Sequence, residues 1–260
     1  MRIDIDVSME YQLHGDEPVL LTIEAAKTDG QTILENTLEI EGAALDRVSG
    51  EGGLGQRVWA HVTTERLKLR YRAKVEVTRP AQALENLKAT PLHALPGEVA
   101  TYLRASRYCE SDLFGNIVTN QFGDLEGGAK IAAIRDWVEA EIAYVPGSSG
   151  AATGAIDTFI SREGVCRDFA HLMCSLARAA NIPARYTSVY GTEVTPPDFH
   201  AVAQVWLEGA WHLVDATGMS TADGLVVIAA GRDAGDVAFL ETGQWAQLIN
   251  QTVDVSRGQG

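Results

Sequence analysis

The spacing of apolar residues changes twice along this chain, and this change constrains the fold more than any other feature. Up to residue 79 apolar and polar residues alternate, as in "RIDIDVSMEYQLH" and "RLKLRYRAKVEVT", which is typical of strands. Between residues 127 and 180 the apolar spacing becomes three and four, which is typical of helices, and beyond Pro183 the alternation returns. We therefore predict an α+β fold, in which an antiparallel β domain precedes a mixed core.

The stretch between these two regions, "RPAQALENLKATPLHALPG", is rich in proline and polar residues, as linkers are. The chain has 260 residues, more than the usual ~100 to 200 per domain. We predict a β domain over residues 1–79, a linker over 80–97 and a core over 98–260.

Charge and cysteine content exclude several classes of protein. The net charge of -14 opposes binding to nucleic acid, which requires clustered Lys and Arg. The N-terminal segment lacks the apolar run of a signal peptide, and no run reaches the ~18 apolar residues of a membrane span. We therefore expect a cytoplasmic protein that does not bind membranes. The three cysteines have no CxxC spacing, so neither a disulfide scaffold nor a zinc knot is expected.

One cysteine begins a predicted helix, in the sequence "GVCRDFAH" (164–171). From Phe169 onward apolar residues form the stripe of a helix packed on a core, and Cys166 projects onto the edge of that stripe. Free N–H groups and the helix dipole stabilise a thiolate at such a position and could also hold an oxyanion. The alternative is that Cys166 is a small buried hydrophobic residue, as most cysteines are.

A nucleophilic thiol needs a base, and the chain has six histidines. His171 projects roughly 140° away from the cysteine around the helix, so we expect it to have a structural role. His14, His61 and His93 lie in the β region and the linker, where solvated or packing roles are expected. The remaining two candidates are in "DFHAVAQVWLEGAWHLVDAT" (198–217).

This segment is typical of a hairpin, because two strand-like runs flank Glu208-Gly209. With a two-residue turn there, Leu207 faces Ala210, and the two residue numbers of every facing pair add up to 417. His200 and Asp215 then lie on one face as diagonal neighbours, about 7 to 8 Å apart, whereas His212 points to the other face. An imidazole and a carboxylate can close that span by a hydrogen bond. The alternative is an ordinary cross-strand polar pair.

The segment "GVCRDFAHLMCSLARAANIPARYTSVY", followed by the hairpin segment, resembles the transglutaminase-like superfamily, particularly its bacterial members. The resemblance covers about residues 99–245 and includes "YVPGSS" and "AAGRDAGD". It implies a papain-like core, in which a helix that carries the cysteine packs on an antiparallel sheet that carries the histidine and the aspartate. By position, Cys166 is the nucleophile, His200 the base and Asp215 the acid that orients the base.

Two further residues match the bacterial pattern, and two depart from it. Asp168 and His171 match, and we interpret them as supports of the site. Relatives usually have tryptophan and an acidic residue where this chain has Val202 and Gln204, and they often have Asp-Pro-Thr where it has "DAT" (215–217). These departures concern the shape of the substrate more than the nucleophilic chemistry.

The resemblance implies acyl transfer on a peptide or carboxamide through a thioester, with no cofactor and no metal. We expect hydrolysis, as in a cysteine protease or amidase, with a peptide or protein as substrate. An amine acceptor would instead make the protein a transglutaminase, and the fold could also serve as a non-catalytic binding module. A metal site of Cys166, Cys174, His171 and His200 is disfavoured, because Cys174 lies two helical turns from Cys166.

Overall fold

The computed structural model describes residues 1–80 and 83–258. Ala81 and Gln82, in the predicted linker, and Gln259 and Gly260, at the end of the predicted core, lie outside the described residues. Among the described residues, no helix has both the length and the apolarity needed to cross a membrane.

The described chain contains strands, then mainly helices, then strands again. The strands are β1 (Arg2–Gln12), β2 (Glu17–Leu21), β3 (Gln31–Ile40), β4 (Leu45–Ser49), β5 (Gln56–Val62), β6 (Arg66–Val77), β7 (Ala143–Tyr144), β8 (Glu163–Gly164), β9 (Ala184–Gly191), β10 (His200–Leu207), β11 (Ala210–Val214), β12 (Leu225–Gly231), β13 (Leu240–Thr242) and β14 (Gln247–Arg257). The α-helices are α1 (Gly97–Ala100), α2 (Gly115–Phe122), α3 (Gly127–Glu141), α4 (Ala155–Ser161) and α5 (Cys166–Ala179).

Two four-stranded antiparallel sheets form the N-terminal β region, in the orders β14-β1-β6-β3 and β13-β2-β5-β4. The alternation in the sequence gives each strand one apolar face. In β1, for example, Ile3, Ile5 and Val7 are buried, whereas the residues between them are partly exposed. Burial of such a side chain stabilises the fold by roughly 1.5 to 3 kcal/mol. The antiparallel β character predicted for this region is confirmed.

The end of the chain returns to this region, which the predicted boundaries did not anticipate. Val255 of β14 pairs with Ile5 of β1, and Leu240 of β13 pairs with Leu21 of β2. The predicted core of 98–260 included both C-terminal strands. Their alternation specifies strands but not partners, and the open edges of β1 and β2 supply the partners. The division into two domains stays a prediction.

The segment predicted as a linker packs closely against the core. Leu84 and Leu87 are buried, and the backbone N–H of Gly128 in α3 donates to the Leu87 carbonyl at 2.8 Å. The Lys88 carbonyl accepts from the N–H of Glu208, in the β10–β11 turn, at 3.1 Å. Burial of the two leucines explains why this segment packs against the core, although its composition is typical of a linker, because burial removes their apolar surface from water.

The core contains a third antiparallel sheet, in the order β11-β10-β9-β12, and α5 packs against β9 and β10. The predicted stripe of α5 is buried, including Phe169, Leu172 and Leu176. The helix ends where Asn181 adopts the left-handed conformation with φ of 60°. This is the predicted arrangement of a cysteine-bearing helix on an antiparallel sheet.

Candidate active site

Cys166 is the first residue of α5, and the local sequence determines where that helix begins. Val165 is extended, and its N–H donates to the Asp168 carboxylate at 2.9 Å, so that residue 168 caps the helix from its first turn. The Asp168 side chain is fully buried and also accepts from Arg167 at 3.1 Å. A Cβ atom at Gly164 would lie 2.8 Å from that of Asp168, so glycine permits this tight approach. The side chain of Cys166 remains partly exposed.

The β10–β11 hairpin has the predicted turn and register. Leu207 faces Ala210, and Ala203 faces Val214, so the numbers of facing residues add up to 417. Both turn residues have positive φ, 49° at Glu208 and 80° at Gly209, as a two-residue turn of type I′ requires. The predicted hairpin is therefore confirmed.

This register brings His200 and Asp215 together. Nε2 of His200 lies 2.9 Å from Oδ2 of Asp215, and both side chains are almost fully buried. The carboxylate also accepts from the N–H and hydroxyl of Thr217, at 2.8 and 2.6 Å, and from the N–H of Ser220 at 3.1 Å. Asp215 is thus held as a carboxylate that accepts from Nε2, which leaves Nδ1 of His200 for other chemistry.

The Cys166 side chain interacts with the His200 ring. Burial alone would lower the pKa of His200, but the hydrogen bond to Asp215 and the neighbouring Cys166 outweigh burial and raise that pKa to about 9. Among the described residues, Nδ1 has no conventional hydrogen-bond partner. The elevated pKa favours an imidazolium beside the sulfur over most of the neutral range. Three of the residues predicted from sequence therefore meet at one place.

A cavity of about 380 Å³ opens beside Cys166 and His200. Its other walls are mainly aromatic and aliphatic, and include Tyr108, Tyr186, Phe199, Val237 and Phe239. The rings of Phe199 and Phe239 stack with centroids 4.0 Å apart. The Phe239 carbonyl accepts from the N–H of Thr22 at 3.0 Å, so the N-terminal β region anchors one wall of the cleft.

His171 lies behind the cleft rather than at the sulfur. Its ring packs between Tyr108 and Tyr186, with centroids 5.3 and 5.0 Å away, and its Nε2 accepts from the N–H of Ala234 at 3.1 Å. Burial, assisted by the charge of Arg167, lowers the pKa of His171 to about 3. A neutral ring at this position holds the segment that follows β12.

Tyr144 is a residue of the site that the sequence reasoning missed. Strand β7 pairs in parallel with β8, which places Tyr144 opposite Gly164, two residues before Cys166. Its ring packs against Phe169 at 5.9 Å between centroids. Burial, together with the contact of the hydroxyl with Cys166, raises the pKa of Tyr144 to about 12, so the hydroxyl remains a donor. The segment "YVPGSS", already part of the resemblance, was the available signal.

The other predicted residues lie elsewhere. Cys109 and Cys174 are fully buried free thiols in contact with each other. His212 lies on the far side of the hairpin, where its Nε2 is 3.1 Å from the Leu207 carbonyl oxygen. Over residues 1–80 and 83–258, no cluster of three or more His, Cys, Asp or Glu side chains is arranged to hold a metal ion.

Three comparisons relate this chain to known proteins. A family model for the transglutaminase-like superfamily matches residues 116–216, which include Cys166, His200 and Asp215. The crystal structure of a proposed cysteine protease from Cytophaga hutchinsonii is 33% identical and superposes with a TM-score of 0.93 over 100% of this chain and 91% of that one. An uncharacterized protein of Mycobacterium tuberculosis is 27% identical in a match that covers 87% of this chain and 81% of that protein.

A second mycobacterial relative, an uncharacterized protein of Mycobacterium leprae, is 31% identical over 141 residues. That match covers 50% of this chain, and the chain spans about half the length of that protein. The near-complete overlap with the Cytophaga structure and the family match over the cysteine helix and the hairpin lead to one conclusion. This chain belongs to the transglutaminase-like superfamily.

Proposed function

We propose that this protein is a cysteine hydrolase that acts on a peptide or carboxamide, with Cys166 as nucleophile, His200 as general base and acid, and Asp215 as the group that orients His200. The observation that carries the proposal is the order of contacts at His200. Its Nε2 is held by a buried carboxylate, and a partly exposed thiol at a helix N-terminus lies against the same ring. This is the arrangement of a nucleophile, a base and an orienting acid.

In the first half of the reaction, His200 takes the proton of the Cys166 thiol on Nδ1, and the sulfur attacks the carbonyl carbon. The oxyanion that forms lies at the start of α5, where free N–H groups and the helix dipole stabilise negative charge. The C–N bond then breaks as His200 returns its proton to the leaving amine. This step leaves a thioester on Cys166.

In the second half, water attacks the thioester while His200 accepts a proton from that water. The C–S bond breaks, the acid product leaves, and the thiol is restored by the proton that His200 held. The relationship to a proposed cysteine protease from Cytophaga hutchinsonii favours water over an amine as acceptor. The aromatic and aliphatic walls of the cleft favour a substrate with an apolar side chain next to the scissile bond.

Selective alkylation tests the proposed pair directly. We expect iodoacetamide at pH 6 to label Cys166 at least tenfold faster than Cys109 or Cys174, because Cys166 is partly exposed at a helix N-terminus beside the His200 ring, whereas the other two thiols are buried. Mass spectrometry of tryptic peptides over a time course gives the three rates. In His200→Ala the Cys166 rate should fall to that of an ordinary exposed thiol.

Buried Cys109 and Cys174 serve as internal controls for unfolding in both proteins, since both thiols become reactive when the core opens. His212→Ala is a matched control, because it removes an imidazole of the same hairpin that lies away from the sulfur. An unchanged Cys166 rate in folded His200→Ala contradicts the pair.

A second prediction concerns the Tyr144 hydroxyl, which contacts the backbone and side chain of Cys166. We expect Tyr144→Phe to lower kcat about tenfold to a hundredfold with little change in KM, because the hydroxyl donates to the oxyanion only after attack. Steady-state kinetics on a peptide cleaved by the wild-type protein measure both constants. Tyr108→Phe, on another wall of the cleft, is the control. A change confined to KM would assign Tyr144 to substrate binding alone.

A further inference from the structure

A second cavity, of about 470 Å³, lies between the N-terminal β region and the β9–β11 part of the core sheet. Its lining includes Arg79, just after β6, and, from the core sheet, Arg185, Gln204, Trp206 and Trp211. Among the described residues, none lines both this cavity and the one beside Cys166. The proposed catalytic reaction therefore assigns no role to it.

The interactions that the described residues make with the two arginines of this cavity involve neutral groups. Nε of Arg185 donates to the Gln204 amide oxygen at 2.8 Å, its guanidinium lies 4.2 Å from the centroid of the Trp211 ring, and the Tyr102 side chain also interacts with it. Arg79 donates to two backbone carbonyls and, at 2.9 Å, to the amide oxygen of Gln31. Within the described chain, neither guanidinium forms an ion pair with a carboxylate.

Unpaired guanidinium groups at partly buried positions are costly. Burial lowers the pKa of both arginines, that of Arg185 to about 10. The one carboxylate on the walls described here belongs to Asp29, which is exposed to solvent. The net charge of the chain is -14, yet at this place the described residues supply two guanidinium groups and no carboxylate paired with them. A bound anion would supply the missing charge.

The aromatic walls indicate what else the anion should carry. The rings of Trp206 and Trp211 meet edge to face with centroids 5.2 Å apart, and both line the cavity. The indole N–H of Trp206 is buried without an acceptor in the described chain. A planar group can pack on such rings while its charged end meets the guanidinium groups.

We propose that this cavity is a binding site for a small organic carboxylate that carries a planar group. Arg185 and Arg79 bind the carboxylate, and Trp206 and Trp211 pack against the planar part. Gln204 is central to the site, because it occupies the position beside Arg185 where a carboxylate in the chain itself would neutralise that arginine. Because the Gln204 amide is neutral, the positive charge of Arg185 remains available to the carboxylate of the ligand.

Isothermal titration of the full chain with benzoate tests the proposal. We expect saturable binding at one site, and no binding of benzamide, which has the same shape but no charge. Arg185→Gln and Gln204→Glu should each weaken benzoate binding about tenfold to a hundredfold, the first by removing the cation and the second by neutralising it from within. N-Acetylphenylalanine, compared with its amide, tests whether the C-terminus of a peptide also binds there.

Arg70→Gln is the matched control, because it makes the same charge change on the exposed face of β6, where Arg70 pairs with Asp6. It should bind benzoate as the wild type does, and so should Cys166→Ala, which separates this proposal from the catalytic one. Thermal melting verifies that each variant is folded, and Gln204→Glu decides the matter if Arg185→Gln does not fold. Equal binding of benzamide and benzoate, or wild-type affinity in folded Gln204→Glu, overturns the proposal.

Discussion

Replacing Cys166 by alanine is expected to lower kcat by about 10⁴-fold or more on any peptide that the wild-type protein cleaves. In the proposed reaction the sulfur is the protein atom that bonds to the substrate carbonyl carbon, and the other two thiols of the described chain are buried away from the cleft. KM should change little, since the side chain contributes only a small part of the cleft surface. Initial rates on a fluorogenic peptide with an apolar residue before the scissile bond measure the effect.

Cys174→Ala is the control for this substitution. It also removes a thiol from α5, but Cys174 is fully buried in the core and away from the cleft. Its kcat should stay within a few-fold of the wild-type value, at some cost in thermal stability. Residual peptidase activity above a hundredth of the wild-type rate in purified Cys166→Ala would show that another group is the nucleophile.

Replacing Asp215 by asparagine is expected to lower kcat by about 10³- to 10⁴-fold, because the carboxylate both orients the His200 ring and stabilises its imidazolium. The variant should also change the dependence of activity on pH. In the wild type the pKa of His200 is raised to about 9, so the imidazolium is present below that pH. Activity should therefore fall as the pH rises through about 9. Without the Asp215 carboxylate, one of the two groups that oppose the effect of burial is lost, so the pKa of His200 should decrease and the fall should occur at a lower pH.

Profiles of kcat/KM against pH for the wild type and for Asp215→Asn measure this shift. Asp223→Asn is a suitable control, since Asp223 follows Asp215 closely in the chain, accepts a hydrogen bond from nearby Thr221 and is partly exposed. The control should keep the fall near pH 9. If activity falls at the same alkaline pH in Asp215→Asn and in the wild type, His200 is excluded as the group whose titration causes the fall.

The contact between His200 and Asp215 could be predicted from the sequence because it depends on a short piece of chain. Glu208 and Gly209 determine the turn, the turn determines the register, and the register places residues 200 and 215 side by side. The start of α5 was predictable for a similar reason. Its apolar stripe and the preceding glycine act within a few residues of Cys166.

The path of the chain outside these local elements was not predictable in the same way. Strand β14 alternates like any half-buried strand, and nothing in its residues identifies β1 as its partner. Leu84 and Leu87 lie in a segment whose composition is typical of a linker, yet both are buried against the core. Such outcomes depend on which apolar surfaces and open strand edges remain available once the rest of the chain has folded.

The α+β class, the cysteine-bearing helix and the histidine–aspartate hairpin follow from the sequence alone, because turn chemistry and apolar periodicity act over a few residues. The position of the Cys166 side chain at the His200 ring, the contact of Tyr144 with Cys166, and the cavity shared by Arg79 and Arg185 depend on the folded structure. These contacts join residues that are distant in the chain. Their formation depends on how helices and sheets pack to bury apolar surface, and no local pattern encodes that packing.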